Sequence, residues 1–409
     1  MDTFVIVGGG IAAAKAAEGL REGGFDGRIV LYGAESHLPY ERPPLSKGFL
    51  LGTEELETAF VHPQGWYDEH QVELRLGTPV TGIDVHAHTV TTGQESVGYD
   101  RLLLATGSTP RRLPIADDSG APVAYLRTIE DSERLKSALQ QGHRLVVIGG
   151  GWIGLEVAAA ARTAGCEVTV LEAADLPLVR VLGREVAEVF RALHEAHGVD
   201  LRTNASVTSV ETRAGHTIVH LADGTSLAAD LLVVGVGATP NTALAEGTGL
   251  DTANGVVVDQ HLRSSHPDVF AVGDVANAFH PVLQRHLRVE HWDNAIEQGL
   301  TAARNMLGAE QPYARLPYFF TDQYDLGSEY VGSLGPDGYD KVAFHGDVPG
   351  RLFTAFWLKD SRVVAGMHVN DWDAIDSIRA IVAAGRVDLP KLLDSRTPLK
   401  ELVERQTSH

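Results

Sequence analysis

The chain has a single cysteine, Cys166, so no internal disulfide can form. No C-x-x-C pair exists either, which excludes a dithiol relay of the thioredoxin or glutathione reductase kind. Cys166 stands between a helical run and the apolar stretch EVTVLE, where a small core residue is expected. Positive charge is also scarce: Lys and Arg total 34 against 54 acidic residues, giving a formal net charge of −20. Nucleic acid and anionic membrane surfaces both call for a basic face, so neither is expected as a partner. No uncharged apolar run reaches the roughly 18 residues of a membrane span. The start of the chain shows no basic segment ahead of an apolar one, so no secretory signal is expected. These absences together describe a cytoplasmic protein. Eighteen histidines are present, but no H-E-x-x-H spacing organises them, His86 and His88 included, and no metal site is expected.

Glycine, by contrast, is abundant, with 43 residues gathered in short apolar runs instead of a linker-like tract. That pattern suits tight turns at ligand sites. Two segments resemble each other, TFVIVGGGIAAAKAAEGLREGGFDGRIVLYGAE and RLVVIGGGWIGLEVAAAARTAGCEVTVLEAA. Each reads as a strand, a glycine turn, an alanine-rich helix and a second strand, which is the beta-alpha-beta unit occurring twice. The first turn holds Gly8, Gly10 and Ala13 in a G-x-G-x-x-A pattern. The first glycine allows a tight turn, the second lets a pyrophosphate approach the backbone, and the alanine permits close helix packing. Glu35, just beyond the strand IVLY, is the expected partner of ribose hydroxyls. The second turn holds Gly149, Gly151, Ile153 and Gly154, a complete G-x-G-x-x-G. Glu172 ends its next strand, where an acid holds a ribose 2′-hydroxyl and repels a 2′-phosphate. No arginine directly follows Glu172, which favours NADH over NADPH, although Arg180 could fold back toward that ribose.

Two dinucleotide turns imply two dinucleotides, most economically a tightly held FAD and a visiting NADH. The run VFAVGDVA adds Asp274 just past a strand-end glycine, placed to bond the ribityl chain of a flavin. LLLATGSTPR and LLVVGVGATPN look like the chain leaving one domain and re-entering it. Thr106 and Gly107 join the FAD set there, and Gly237 the NAD set. From Leu316 the texture changes to alternating apolar and polar residues, the mark of antiparallel strands, followed by short helices. The expected fold class is α/β: two Rossmann-like dinucleotide-binding domains of the glutathione-reductase-like kind plus an α+β C-terminal domain. Expected boundaries are 1–109 with 234–312 for FAD, 110–233 for NAD and 313–409 for the last domain.

The motif order GGG, PYERPPLSK, ATG, GGGWIGLE, GATPN, VGDVA, EHWDNA resembles the ferredoxin reductase family of FAD flavoproteins over essentially the whole chain. The resemblance implies that the stretch Arg42, Pro43, Pro44, Leu45, Ser46 and Lys47 lies along the flavin ring, with Lys47 near N5. It places Glu156 near the nicotinamide, paired with Lys47. It sets the helix opening at EHWDNA against the flavin, with Trp292 lining the pocket; Asp293 is read as the helix N-cap. One departure is Phe320, standing where several relatives carry a tryptophan, so an indole-dependent electron path is not carried over. The implied acceptor is a [2Fe–2S] ferredoxin serving an oxygenase such as a cytochrome P450 or ring dioxygenase. Docking is expected through a local basic patch drawn from Arg42, Arg285, Arg288 and Arg315. A small acceptor, a quinone or monodehydroascorbate, is the alternative. A flavoprotein that signals by binding is the third, and no targeting segment or basic surface supports it.

Overall fold

The strand Thr3–Val7 reads TFVIV and is buried from Phe4 to Val7, so it must lie inside a sheet covered on both faces. In a computed structural model, which describes residues 1–93, 95–213 and 215–404, it is the middle of five parallel strands. The described residues fall into two compact units, one within 1–44, 55–109 and 238–315, the other within 45–54, 110–237 and 316–404.

The first unit orders its parallel strands as Val269–Ala271, Arg101–Leu104, Thr3–Val7, Arg28–Tyr32 and Val72–Arg75. Val5 sits opposite Val30 on one side and Leu102 on the other. The helix Ile11–Glu22 packs along Trp292–Met306, and small residues set how closely. A Cβ on Gly299 would lie 2.5 Å from the Ala12 carbonyl oxygen, and one on Gly19 would lie 2.9 Å from Ala303 Cβ. The alanines of the first helix are therefore a packing surface as well as good helix formers.

The second unit repeats the pattern with the parallel order Asp200–Arg202, Glu167–Leu171, Arg144–Ile148, Leu231–Val234 and Val123–Ala124. It also contains the antiparallel sheet Tyr318–Gln323, Leu326–Gly332, Arg362–Val369, Leu352–Lys359 and Lys341–Asp347. One apolar cluster joins the two sheets, running from Leu145, Val147 and Phe190 to Tyr330, Phe353 and Trp357. Leu50 belongs to the same cluster, and the Ser132 hydroxyl donates to the Leu45 carbonyl at 2.8 Å. Those contacts hold the segment 45–54 in this unit. The fold is thus mixed α/β, with two parallel Rossmann-like sheets and a C-terminal antiparallel sheet, as the sequence pattern leads one to expect. Cys166 is buried, and burial raises its thiol above the ordinary range, so it is a core side chain and not a nucleophile.

The long helix Val179–Ala196 is broken at Gly183, whose φ of +72° is available to glycine at little cost. A Cβ there would meet the Tyr339 hydroxyl at 2.2 Å. Just before the break, the Leu182 carbonyl accepts a 2.9 Å hydrogen bond from Trp357 Nε1. Trp357 is fully buried. Replacing it with alanine should destabilise the protein by about 3–5 kcal/mol, from the cavity and the stranded carbonyl together. Thermal denaturation of Trp357→Ala checks this; a melting temperature equal to the wild type would contradict the packing account.

Candidate active site

Each glycine turn is locked by its own backbone. Gly8 has φ +133°, and a Cβ on it would sit 2.0 Å from the Ala105 carbonyl oxygen. Gly10 caps the helix Ile11–Glu22 with no side-chain hydrogen bond, and a Cβ on it would meet nothing within 4 Å. A helix start that is open beside a glycine cap is the arrangement that accepts a phosphate. Ala13 is fully buried, as its packing role requires. The second turn repeats these constraints. A Cβ on Gly149 would lie 2.4 Å from the Gly235 oxygen, and one on Gly154 would lie 2.1 Å from the Gly149 oxygen. Gly151 caps Trp152–Thr163, again without a side-chain partner, and Ile153 in the first turn is 44% exposed. Both cradles fit a dinucleotide diphosphate.

The acids lie close to these turns. Glu172 Oε2 accepts from the Gly150 N–H at 2.7 Å, and Oε1 from the Ala174 N–H at 2.7 Å. One carboxylate thus fixes the glycine turn and stands at the end of its strand. Arg180 is exposed, in the first turn of Val179–Ala196. Gly237, at φ +108°, has no neighbour that a Cβ would meet. In the other unit, Glu35 accepts from Tyr40 Oη at 2.6 Å and from Arg42 Nη2 at 2.9 Å. Asp274 lies in the short turn Gly273–Val275, largely buried, and takes a 2.8 Å hydrogen bond from the Ser108 hydroxyl. Thr106 Oγ1 donates to the Asn241 carbonyl, and Asn241 Nδ2 to the Thr106 carbonyl, both at 2.8 Å. The Asn241 N–H meets the Gly107 oxygen at 3.0 Å, so Thr106 and Gly107 clasp the returning chain.

A third constellation occupies the second unit alone. Glu156, in the helix Trp152–Thr163, is 5% exposed. Its Oε2 lies 2.8 Å from Lys47 Nζ and accepts from the Ser46 hydroxyl at 2.5 Å, while Oε1 accepts from Thr321 Oγ1 at 2.7 Å. Lys47 Nζ stands 5.4 Å from the centroid of the Phe320 ring. Burial raises the neighbouring Asp322 carboxyl; Lys47 lowers it, while Glu156 and Glu329 add to the rise. The pairing of Lys47 with Glu156 is present. Ser46 was expected along the flavin ring and Thr321 in the C-terminal motif, but neither as a partner of Glu156, which both complete.

One expectation needs correction. The N-cap of Trp292–Met306 is His291, whose ring nitrogen faces the Asp293 N–H. Asp293 instead forms a two-point pair with Arg315, at 2.8 and 2.6 Å, which draws its carboxylate away from capping. Trp292, the first helical residue, is half-buried against the core of its unit. Of the arginines expected at a docking patch, Arg42 pairs with Glu35, Arg288 with Glu290, and Arg315 with Asp293 and Glu297. Arg285 lies on the strand Arg285–Leu287. His88, His266 and Asp268 also lie close together, within the spacing that metal ligands need, without any sequence spacing to mark them. The Arg101 guanidinium is paired with Asp268 and already supplies the cation that this carboxylate needs.

The sequence profile of the pyridine nucleotide-disulphide oxidoreductases matches residues 2–299, and the reductase C-terminal profile matches 318–403. The chain is 40% identical to the anthranilate 1,2-dioxygenase system ferredoxin–NAD(+) reductase component of Burkholderia cepacia, covering 97% of this chain and 98% of that one. The chain belongs to the ferredoxin reductase family of pyridine nucleotide-disulphide oxidoreductases. It is 38% identical to putidaredoxin reductase of Pseudomonas putida, covering 98% and 97% of the two chains. The crystal structure of the covalent putidaredoxin reductase–putidaredoxin complex superposes with a TM-score of 0.94 at 37% identity, covering 100% of this chain and 99% of that chain. This reductase keeps the family's nucleotide turns but not the cysteine pair that the family name records.

With Glu172 bonded to its own turn, NADH should be preferred to NADPH by at least about tenfold in kcat/KM. Glu172→Ser should narrow that preference and also raise KM for NADH, because the Gly150 and Ala174 N–H groups lose their acceptor. Steady-state kinetics with both nucleotides checks this; a wild-type preference for NADPH would contradict the assignment.

Proposed function

We propose that this chain passes electrons from NADH through bound FAD, one at a time, to a [2Fe–2S] ferredoxin that serves an oxygenase. The observation that carries the reading is the pair of glycine cradles in a chain whose one cysteine is buried. Electrons that enter as a hydride find no protein disulfide and must leave to an outside acceptor. Full-length similarity to ferredoxin–NAD(+) reductases supports a ferredoxin as that acceptor. Bound FAD supplies the step from two-electron to one-electron chemistry.

The roles of individual residues belong to the same proposal. Gly8, Gly10 and the N-terminus of Ile11–Glu22 hold the FAD diphosphate, with Ala13 keeping the helix close. Glu35, steadied by Arg42, takes the adenosine ribose; Asp274, Thr106 and Gly107 complete the FAD set, with Pro43 and Trp292 packing on it. Gly149, Gly151, Ile153, Gly154 and Gly237 receive NADH, with Glu172 at its ribose and Arg180 near by. Lys47 places positive charge toward the reacting edge of the flavin, and Glu156 holds that ammonium and orients the nicotinamide. The chain is read as three domains: FAD-binding over 1–109 and 234–312, NAD-binding over 110–233, and C-terminal over 313–409. Among the described residues, no helix is long and apolar enough to cross a membrane. We place the protein in the cytoplasm, where its lone thiol stays reduced.

The test is acceptor specificity at steady state. A [2Fe–2S] ferredoxin should be reduced with a kcat/KM well above that for a quinone or monodehydroascorbate, two ferredoxins per NADH. With Arg42, Arg288 and Arg315 ion-paired, ferredoxin KM should change by less than about threefold between low and physiological salt. Faster turnover with the small acceptors would favour the alternative reading, and a steep salt response would restore a basic docking patch.

A further inference from the structure

The hydrogen bonds behind Glu156 run in one direction. A carboxylate oxygen without a proton can only accept, so the Thr321 hydroxyl proton is committed to Glu156 Oε1, at 2.7 Å. The Thr321 oxygen is then left to accept, and Gln323 Nε2 donates to it at 3.1 Å. That fixes the Gln323 amide, whose Oε1 faces His194 Nε2 at 2.8 Å, so His194 must carry its proton on Nε2. Its Nδ1 is the remaining acceptor and faces the Tyr324 hydroxyl at 3.5 Å. The Tyr324 ring in turn stacks on His197 at 3.7 Å. Every link lies in the second unit, and Thr321, Gln323 and His194 are each at most 1% exposed.

Such a chain is an expensive way to fill a core. Each buried polar group costs stability unless every partner is satisfied, and apolar residues of similar shape would pack there without that penalty. Thr321 and Gln323 alternate with Phe320 and Asp322 along the strand Tyr318–Gln323, so both point to one face. His194 comes from the helix Val179–Ala196. Burial pushes its pKa down to about 4, partly opposed by the Gln323 bond, so the ring is neutral at pH 7 and keeps an acceptor for Tyr324. Aligned donors polarise one another, and all of them here end on a single carboxylate oxygen.

We propose that Thr321, Gln323 and His194 are positioning residues that hold the Glu156 carboxylate in one orientation, leaving Oε2 to Ser46 and Lys47. This rests on the reading that Glu156 works at the nicotinamide. The chain touches neither nucleotide in that reading; it acts through Glu156 alone.

The experiment combines anaerobic stopped-flow reduction of the holoprotein by NADH with proton-detected nitrogen NMR of histidine side chains in the wild type. Thr321→Val should lower the limiting rate of flavin reduction about tenfold while changing the NADH dissociation constant less than about twofold, because orientation is lost and not binding. Thr321→Ser should restore most of the rate, and Gln323→Met should behave like Thr321→Val. In a Glu156→Gln background, Thr321→Val should cost nothing further. The wild-type His194 signal should be that of the Nε2–H tautomer, a result that requires no variant to fold. A wild-type rate in Thr321→Val, an equal loss in both backgrounds, or an Nδ1–H tautomer would each overturn the proposal while the role of Glu156 stood. A wild-type rate in Glu156→Gln would overturn the underlying reading, and the proposal with it.

Discussion

Glu156 is only 5% exposed, and a carboxylate buried that deeply costs stability unless its oxygens are paired. The second unit is arranged around that requirement. The segment 45–54 is held in this unit through Leu50 and the Ser132–Leu45 bond, which delivers Ser46 and Lys47 to one oxygen. The strand Tyr318–Gln323 brings Thr321 to the other. The cluster that ends on Trp357 joins that strand's sheet to the parallel sheet carrying Glu156's helix. The C-terminal sheet is therefore part of the carboxylate's environment and not an appendage.

The same logic explains what replaces a disulfide. A redox-active cysteine pair stores electrons in the protein; a fixed Lys–Glu pair cannot. What it can do is set charge and orientation, with Lys47 Nζ 2.8 Å from the Glu156 carboxylate and 5.4 Å from the centre of the Phe320 ring. Such a site favours transfer through a bound cofactor to an acceptor from outside, and preorganised charge is the contribution the chain itself makes.

Much of this was legible in the sequence because its causes are local. Gly8, Gly149 and Gly154 are dictated by positive φ or by carbonyl oxygens 2.0–2.4 Å from an imagined Cβ, and such constraints leave their mark in a few consecutive residues. The alternating pattern after Leu316 announced an antiparallel sheet for the same reason. The Lys47–Glu156 pair was legible only through family resemblance. Its completion by Ser46 and Thr321 was not, since serines and threonines are common and only the tertiary fold selects these two. Asp293 misled because aspartate is a good N-cap by rule, yet Arg315, distant in sequence, offers its carboxylate a stronger partner. His88, His266 and Asp268 likewise converge from separate strand ends and loops with no spacing to betray them.

The most direct test of the central claim is a single turnover. The FAD-loaded protein is reduced anaerobically by one equivalent of NADH and then mixed with excess oxidised [2Fe–2S] ferredoxin, with the flavin and iron–sulfur bands followed together. The account predicts full flavin bleaching by that one equivalent, then reoxidation with two ferredoxins reduced per flavin. Failure of NADH to bleach the flavin, or a bleached flavin that reduces no ferredoxin, would contradict it.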